Sequence, residues 1–130
     1  MPKSILVIDD EELVAKSLLK LLSSEGYKVT IVRSGLEALE EVRETDFNLI
    51  IVDIRMPMLD GIETIKRIRS YLKTANKKLV PELAITAYAD RDKYEEARGA
   101  RVADYLFKPF ENAELLHAVR KVLGEFIPEA

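Results

Sequence analysis

Short apolar runs alternate with longer amphipathic stretches along the whole chain. Several runs of about five residues are rich in β-branched residues and are bounded by polar or turn residues, a pattern typical of buried strands. The predicted strands are Ser4–Ile8, Lys28–Val32, Asn48–Val52, Glu82–Thr86 and Ala103–Phe107. In the second run, Lys28 and Thr30 alternate with Val29 and Ile31, which places this strand at an edge of the sheet.

Between these runs, apolar residues recur every three or four positions, as they do on one face of an α-helix. The predicted helices cover residues 12–25, 34–43, 61–74, 90–100 and 112–126. Gly26 ends the first helix, and Ser34 with Glu37 forms a capping box that opens the second. The apolar face of the first helix consists of Leu13, Val14, Leu18, Leu21 and Leu22, and that of the last helix extends to Phe126.

This alternation predicts an α/β fold, a doubly wound, five-stranded parallel sheet with five helices on its two faces. The chain has 130 residues, the size of one ordinary domain. We expect that domain at residues 1–124 and a C-terminal tail at residues 125–130. In such open sheets, a site lies outside the carboxyl ends of the strands.

Composition narrows the classes of function. Hydrophobic residues make up 48% of the chain, enough for a folded core, and the absence of Cys excludes disulfides and thiolate chemistry. A net charge of -3 gives no general attraction to nucleic acid or to an anionic membrane. The N-terminus lacks a signal-peptide pattern and no apolar run is long enough to span a bilayer, so we expect a cytoplasmic protein.

Chemically active side chains stand at the ends of four of the predicted strands. Asp9 and Asp10 follow the first strand, Asp53 the third and Lys108 the fifth, and Thr86 ends the fourth. Taken one at a time, these residues have ordinary explanations such as helix capping, turn formation or surface exposure. Because parallel strands share their carboxyl edge, however, the sheet would bring them together. We therefore expect one site that combines acids, a hydroxyl and an ammonium group.

The chemistry of such a site follows from its charges. Neighbouring carboxylates repel one another by about 4 kcal/mol per close pair at an effective dielectric constant of about 20. Either some stay protonated or a cation joins them, and an all-oxygen site with few ligands favours Mg²⁺ together with phosphate oxygens. Lys108 and Thr86 are suited to hold phosphoryl oxygens. Asp53 would then be a carboxylate nucleophile that forms an aspartyl phosphate.

The motifs "VIDDE", "VDIRMPMLDG", "ITA" and "YLFKPF" occur in this order. Together they resemble the response-regulator receiver domains of two-component signalling, such as the chemotaxis regulators, over about Lys3 to Leu123. The resemblance implies a flavodoxin-like fold with strand order 2-1-3-4-5. It also implies a phosphorylation-dependent switch that is not an enzyme, apart from its own Mg²⁺-dependent phosphorylation and dephosphorylation.

The resemblance further assigns roles to the residues at the strand ends. Asp53 matches the phosphoacceptor. Asp9, Asp10, Asp53 and the backbone carbonyl of Arg55 match the groups that hold Mg²⁺, with Asp10 bound directly and Asp9 through water. These four residues would form the metal site.

Another set of residues matches the switch that follows phosphorylation. Thr86 corresponds to the hydroxyl that moves toward the phosphoryl group, and Lys108 to the lysine that pairs with this group. Tyr105 corresponds to the aromatic residue that turns inward when Thr86 moves. Pro109 would follow a cis peptide bond, as in the family.

The resemblance also implies the partners. The phosphoryl group would come from a histidine kinase or a phosphotransfer protein, since the single histidine, His117, lies on the last helix away from the acids. The change would reach a downstream protein or domain through the surface of the fourth helix, fifth strand and fifth helix. After the last helix only "GEFIPEA" remains, so we expect no direct nucleic-acid or membrane partner. Two questions stay open: whether the chain stands alone or belongs to a longer regulator, and whether phosphorylation forms a homodimer.

Two other classes of protein compete with this interpretation. An aspartyl-nucleophile phosphohydrolase or phosphotransferase usually carries a second acid two residues after the nucleophile, where this chain has Arg55. A phosphate-independent interaction module often lacks one of the acid, threonine or lysine residues, all of which are present here.

Some features depart from the family pattern. Arg101 stands where many relatives carry Gly, so we expect Gly99 to cap the fourth helix earlier. The basic segment 71–82 is longer than usual and is interpreted as a solvated loop in preference to a partner contact. In the family that this chain resembles, the residues two positions after the phosphoacceptor and two positions after the switch threonine flank the path of the water that attacks the aspartyl phosphate. In this chain they are Arg55 and Tyr88. Neither side chain is suited to orient that water, and Arg55 can instead hydrogen-bond the phosphoryl oxygens. We therefore expect a long-lived phosphoryl group.

Overall fold

The computed structural model describes residues 1–87 and 90–125 and shows the predicted alternation of strands and helices. The strands are β1 (Ser4–Ile8), β2 (Lys28–Val32), β3 (Leu49–Asp53), β4 (Glu82–Ala87) and β5 (Asp104–Lys108). The helices are α1 (Glu12–Ser24), α2 (Gly35–Glu44), α3 (Gly61–Thr74), α4 (Arg91–Gly99) and α5 (Asn112–Leu123). None of the helices in these two ranges has both the length and the apolar character that crossing a membrane requires.

The strands form one parallel sheet in the order β2-β1-β3-β4-β5, as the family resemblance implies. β3, β4 and β5 each extend one residue beyond the predicted end, so that Asp53 and Lys108 are the last residues of their strands. α5 ends at Leu123 because Gly124 adopts a left-handed φ of 70°. The prediction that this helix continues beyond Leu123 is therefore wrong at Gly124 and Glu125, and Phe126 lies outside the described part of the chain.

Two apolar layers cover the sheet. α2, α3 and α4 pack on one face, where Leu6, Ile50 and Val52 are buried, and α1 and α5 pack on the other, where Ile5 and Ile51 are buried. Since β1 and β3 are covered on both faces, they are continuous apolar runs without polar alternation. The predicted arrangement of five helices on two faces is confirmed.

The apolar face predicted for α1 is wrong at one position. Leu18 and Leu22 are buried together with Ala15, but Leu13 is 81% exposed. Successive helical residues are turned by about 100°, so Leu13 is turned by about 200° from Ala15. Leu13 therefore lies on the opposite side of the helix from the core.

The capping box predicted at the start of α2 forms only in part. Ser34 Oγ accepts a hydrogen bond from the Glu37 amide at 3.2 Å, as predicted. The Glu37 carboxylate accepts from the Arg33 amide at 2.8 Å, one residue before the amide that the motif expects. The helix start is still fixed from both sides, because each of the two side chains binds a backbone amide.

The expectation that Gly99 caps α4 is wrong. α4 ends at Gly99, but the left-handed residue is Arg101, with a φ of 57°. Arg69 of α3 supports this end, because its Nη1 donates to the Ala100 carbonyl oxygen at 2.6 Å. Arg69 Nε and Nη2 also donate to the two carboxylate oxygens of Glu82, at 2.9 and 2.7 Å, and Glu82 is only 3% exposed. We call this arrangement the Arg69–Glu82 clamp.

The basic segment 71–82 is partly helical. α3 continues through Thr74, so the connecting loop begins at residue 75. The Lys77 ammonium lies 5.7 Å from the centre of the Tyr71 ring and 3.8 Å from an Asp46 carboxylate oxygen. These contacts hold the segment against its own domain, which agrees with a surface loop.

Candidate functional site

The ends of β1 and β3 place three acids side by side. Asp9 and Asp10 follow β1 directly, and Asp53 is the last residue of β3. One carboxylate oxygen from each of Asp9, Asp10 and Asp53 lies within 4.8 Å of the other two. Asp9 and Asp53 are buried, whereas Asp10 is half-buried. The structure thus brings together the acids that the sequence placed at separate strand ends.

Lys108 faces Asp53 from the end of β5. Its Nζ donates to Asp53 Oδ2 at 2.8 Å and lies 3.5 Å from a Glu11 carboxylate oxygen. The Arg55 amide donates to Asp53 Oδ1 at 3.1 Å. Both carboxylate oxygens of Asp53 are therefore held in place. The sequence analysis missed Glu11, because an acid just before α1 is also expected from helix electrostatics alone.

Burial and neighbouring charges set the protonation of this pair. Burial raises the pKa of Asp53, and the hydrogen bond and charge of Lys108 oppose that rise without cancelling it. For Lys108, burial is the largest single cause and acts to lower the pKa. The hydrogen bond and charge of Asp53, together with the charges of Asp9 and Glu11, outweigh burial, so the pKa of Lys108 is raised. Lys108 therefore keeps the compact positive charge that suits a phosphoryl oxygen.

Asp9 carries an acceptor that fits a metal ion. Its Oδ1 accepts a hydrogen bond from the Glu11 amide at 2.9 Å, but its buried Oδ2 has no hydrogen-bond partner among the residues that the structure describes. Burial raises the pKa of Asp9 to about 6. A buried, unpartnered carboxylate oxygen beside two further acids fits a hard divalent cation such as Mg²⁺, which prefers oxygen ligands.

The two predicted switch residues occupy different places. Thr86 is buried near the end of β4, and because Asp53 pairs with Ile85 in the sheet, Thr86 lies one position further toward the acid edge. Tyr105 is the second residue of β5 and is half-buried. Its ring packs edge-to-face on Tyr94 of α4, with the ring centroids 5.3 Å apart. Thr86 thus lies at the edge of the sheet where the acids lie, and Tyr105 contacts α4.

The Arg55 side chain contacts Asp90, a residue that the sequence analysis missed. Arg55 Nε donates to Asp90 Oδ2 at 2.8 Å, and Nη2 forms an ion pair with the same oxygen. Asp90 is the N-cap of α4, and its Oδ1 accepts from the Lys93 amide at 3.2 Å. An Asp three residues before an amide at a helix start is a signal for such a cap, but it does not reveal a partner from another loop. The predicted contact of Arg55 with phosphoryl oxygens stays a prediction, and Tyr88 lies outside the described residues.

Backbone geometry completes the site. The Lys108–Pro109 peptide bond is cis, as the family resemblance implies. Gly61 begins α3 directly against the end of β3, and a Cβ at this position would lie 2.6 Å from the Asp53 carbonyl oxygen. Glycine is therefore the residue that permits this close approach.

Fold and site together define a class of protein. A doubly wound sheet carries, at its carboxyl edge, an oxygen-rich cation site next to an aspartate paired with lysine. These are the groups that metal-assisted phosphoryl transfer to a carboxylate requires. The family model of the response regulator receiver domain matches residues 5–120. The chain therefore belongs to the response regulator receiver domains, the phosphorylation-dependent modules of two-component signalling.

Curated relatives agree with this assignment. The transcriptional regulatory protein ZraR of Klebsiella oxytoca is 42% identical over 120 residues, which cover 92% of this chain and 26% of ZraR. The polar-differentiation response regulator DivK of Brucella anthropi is 32% identical over 126 residues, which cover 96% of this chain and 99% of DivK. The transcriptional regulatory protein PdtaR of Mycobacterium tuberculosis is 33% identical over 127 residues, 97% of this chain and 59% of PdtaR. The chain thus spans only part of ZraR and PdtaR but nearly all of DivK.

Solved structures show the same fold. A putative response regulator from Chloroflexus aurantiacus has a TM-score of 0.85 and 34% identity, and the match covers 96% of this chain and 100% of that one. The receiver domain of the sensor histidine kinase PA1611 from Pseudomonas aeruginosa has a TM-score of 0.83 and 30% identity, with 96% and 100% covered. That receiver domain was crystallised with a magnesium ion coordinated in its active-site cleft.

Proposed function

We propose that Asp53 accepts a phosphoryl group from a histidine kinase or a phosphotransfer protein. The observation that carries the proposal is the Lys108 ammonium, 2.8 Å from one carboxylate oxygen of Asp53 and beside two further acids. A carboxylate oxygen of Asp53 would form a bond to phosphorus while the bond between phosphorus and the donor histidine nitrogen breaks. Lys108 would stabilise the charge on the transferring group.

The proposed Mg²⁺ site consists of Asp9, Asp10, Asp53 and the backbone carbonyl of Arg55. A bound Mg²⁺ would offset the charge of the carboxylates and orient phosphoryl oxygens. The unpartnered Asp9 Oδ2 supports this site, because within the described residues no donor satisfies it. As the family resemblance implies, Asp10 would bind the ion directly and Asp9 through water.

The proposed output is a change in partner binding at the surface of α4, β5 and α5. Thr86 would move toward the phosphoryl group, and Tyr105 would turn inward with it. The contact of Tyr105 with Tyr94 supports this route, since a change in the Tyr105 ring alters the packing of α4 directly. Phosphorylation would favour a conformation that is already available to the protein.

Phosphorylation is tested by incubation with acetyl phosphate and Mg²⁺, followed by measurement of the intact mass. The wild-type protein should gain one phosphoryl group, and Asp53→Asn should gain none, because the amide is not a nucleophile. Asp46→Asn is the matched control, since the Asp46 side chain is 95% exposed and lies outside the acid cluster. Equal labelling of Asp53→Asn and wild type would refute the assignment.

The metal site is tested by calorimetric titration of Mg²⁺ into Asp9→Asn and Asp10→Asn, both of which should bind the ion more weakly. Because folding raises the pKa of Asp9 from 3.8 to about 6, the stability that Asp9 contributes is complete below pH 3.8 and is lost as the pH rises through about 6. Without metal, Asp9→Asn should therefore raise the free energy of unfolding near neutral pH, by about 3 kcal/mol. Unchanged Mg²⁺ affinity in both variants would refute the metal site.

The competing functions receive less support. The acid/base residue of an aspartyl phosphohydrolase would stand at Arg55, whose guanidinium is instead paired with Asp90. A phosphate-independent module would not need the paired Asp53 and Lys108. Turnover of a phosphorylated small molecule would favour the hydrolase, and failure of acetyl phosphate labelling would favour the module.

Other assignments rest on the sequence and the family. We keep residues 1–124 as the receiver domain, residues 125–130 as a tail and the cytoplasm as the location. Formation of a phosphorylation-dependent homodimer stays a prediction. The long lifetime of the phosphoryl group also stays a prediction. Of the two residues on which it rests, Arg55 is described by the structure and Tyr88 is not.

A further inference from the structure

Arg55 bridges the acid cluster and the beginning of α4. Its amide donates to Asp53 Oδ1 at 3.1 Å, while its guanidinium Nε donates to Asp90 Oδ2 at 2.8 Å. The Arg55 side chain is 72% exposed, so that solvent surrounds most of it. One residue therefore contacts the proposed phosphoacceptor with its backbone and the N-cap of α4 with its side chain.

The start of α4 depends on Asp90. Asp90 Oδ1 accepts from the Lys93 amide at 3.2 Å, which satisfies one of the free amides of the first turn. Hydrophobic burial adds little, because Ala97 is the buried residue of α4. Lys93 Nζ adds a second polar contact, 3.1 Å from Asp60 Oδ2 at the start of α3. Loss or gain of a charged partner at Asp90 should therefore change the stability of the first turn of α4.

We propose that Arg55 is a positioning residue that couples a phosphoryl group on Asp53 to the N-terminus of α4, because the phosphoryl group and Asp90 compete for its guanidinium. The inference rests on the proposed phosphorylation of Asp53. A phosphoryl group carries more charge and more acceptor oxygens than a carboxylate, and guanidinium binds it with two parallel hydrogen bonds. Since the Arg55 backbone already adjoins Asp53, rotation of an exposed side chain is enough to exchange the partners.

The competition has a reciprocal consequence. If a phosphoryl group on Asp53 weakens the ion pair between Arg55 and Asp90, then that ion pair weakens the binding of a phosphoryl analogue by the same factor. Removal of the Asp90 charge should therefore strengthen the binding of the analogue. An exposed ion pair of this kind corresponds to a factor of about two to five. Asp90→Asn is a suitable variant, because Asn also caps a helix, so α4 still begins at the same residue, while the ion pair that Arg55 adds to this first turn is lost.

The experiment uses the full chain, Mg²⁺ and beryllofluoride, an analogue of the phosphoryl group on Asp53. NMR would record the Arg55 Nε–H signal and the hydrogen exchange of the Lys93 and Tyr94 amides, and titration would give the Kd for beryllofluoride. In the wild-type protein, the analogue should shift the Arg55 signal and speed exchange at both amides. Asp90→Asn should show the faster exchange before the analogue is added and should lower the Kd about two- to fivefold.

Matched variants separate this coupling from a general charge effect. Asp92→Asn removes the same charge from the same turn of α4 and should behave as the wild type. Arg55→Gln should raise the Kd and remove the response of the Lys93 and Tyr94 amides, and Arg55→Lys should restore part of both.

Two results would overturn the inference while leaving the proposed function intact. One is an undiminished response of the α4 amides in Arg55→Gln. The other is an equal Kd for beryllofluoride in Asp90→Asn and Asp92→Asn. If the analogue does not bind the wild-type protein at all, the proposed function fails, and the coupling through Arg55 fails with it.

Discussion

α3 and α4 lie on the same face of the sheet but are held by different forces. α3 buries one side along its whole length; its buried residues are Gly61, Ile62, Thr64, Ile65, Ile68 and Leu72. In α4 the buried residue is Ala97. Because burial of a large apolar side chain contributes about 1.5–3 kcal/mol, α3 is fixed by its core contacts in a way that α4 is not.

Polar contacts take the place of the missing core contacts in α4. Its first turn is tied to Arg55 and Asp60, and its last turn to the Arg69–Glu82 clamp. The ion pair at Arg55 is largely exposed, and such pairs contribute little and reorganise readily, so the start of α4 responds to a new charge nearby. The comparison shows that the two helices have different roles. α3 is a rigid support for Asp53, whereas α4 is able to change when the charge at Asp53 changes.

The largest expected effect is in α3. Ile65→Ala should lower the free energy of unfolding by about 3–4 kcal/mol, because Ile65 is fully buried and the cavity is lined by core residues. Tyr94→Ala in α4 should cost about 2 kcal/mol or less, although it removes a larger side chain. Urea denaturation measures both values. Equal costs would show that α4 is packed as firmly as α3.

Disruption of the Arg69–Glu82 clamp should have the second-largest effect on stability. Arg69→Met leaves the buried Glu82 carboxylate without its cation and should cost about 3 kcal/mol. The double variant Arg69→Met with Glu82→Leu should recover most of this loss, since no buried charge is left. Urea denaturation of the single and double variants tests this. If the double variant is no more stable than Arg69→Met, the cost belongs to the lost contact with the Ala100 carbonyl and not to Glu82.

Acid should loosen the start of α4 at a pH where α3 stays in place. The hydrogen bond from Arg55 is the main cause that lowers the pKa of Asp90 below its usual value of 3.8. A lowered pKa means that the stabilisation is present above pH 3.8 and is lost as the pH falls through the lower folded-state value.

Hydrogen exchange at the Lys93 amide, corrected for intrinsic rates, should therefore rise as the pH falls below 3.8, while the amide of Ile68 in α3 stays protected. Asp90→Asn should remove the pH dependence at Lys93. The pKa of Asp60 is also lowered, because hydrogen bonds from the Glu63 amide and Lys93 outweigh the effect of burial, so Asp60→Asn is needed as a second control. Simultaneous loss of protection in both helices would contradict the comparison.

The smallest expected effect is a gain. Arg101 holds a left-handed φ of 57°, a conformation that costs a non-glycine residue about 1–2 kcal/mol. Arg101→Gly should remove that strain and, after the greater freedom of glycine in the unfolded chain is subtracted, stabilise the protein by about 0.5 kcal/mol. Arg98→Gly, inside α4, should instead destabilise it by about 1 kcal/mol. Thermal unfolding compares the two, and a loss in Arg101→Gly would mean that its side chain contributes more than its strained backbone costs.

Much of the fold could be predicted from the sequence, because apolar periodicity is strong in most of its strands and helices. α4 is the exception, since Ala97 is its buried residue. Convergence of Asp9, Asp10, Asp53 and Lys108 could also be predicted, since parallel strands end at a common edge. The order of the strands could not, and it came from the family resemblance. Leu13 was misplaced because an exposed apolar residue next to a helical stripe looks like part of it.

Side-chain partners from distant elements escaped the sequence analysis. Glu82 was recognised as a strand residue, but nothing in its spacing shows that its carboxylate is buried against Arg69 of α3. Arg55 was expected to serve the phosphoryl group, whereas its guanidinium binds Asp90. Such contacts depend on rotamers and on loops that meet only in the folded protein, and a single sequence carries no periodic signal for them.

Gly61 sets a limit on how this domain can vary. An added methyl group would lie 2.6 Å from the Asp53 carbonyl oxygen, whereas ordinary contact begins at 3.4 Å, so α3 would have to retreat by about 0.8 Å. That retreat opposes the whole buried side of α3. In a library of variants selected for phosphorylation, position 61 should therefore accept glycine alone, while Gly99, which has open space around the same atom, should accept many residues. Sequence variation next to the phosphoacceptor is thus limited by Gly61, the first residue of α3, although Gly61 contributes no side chain to the chemistry.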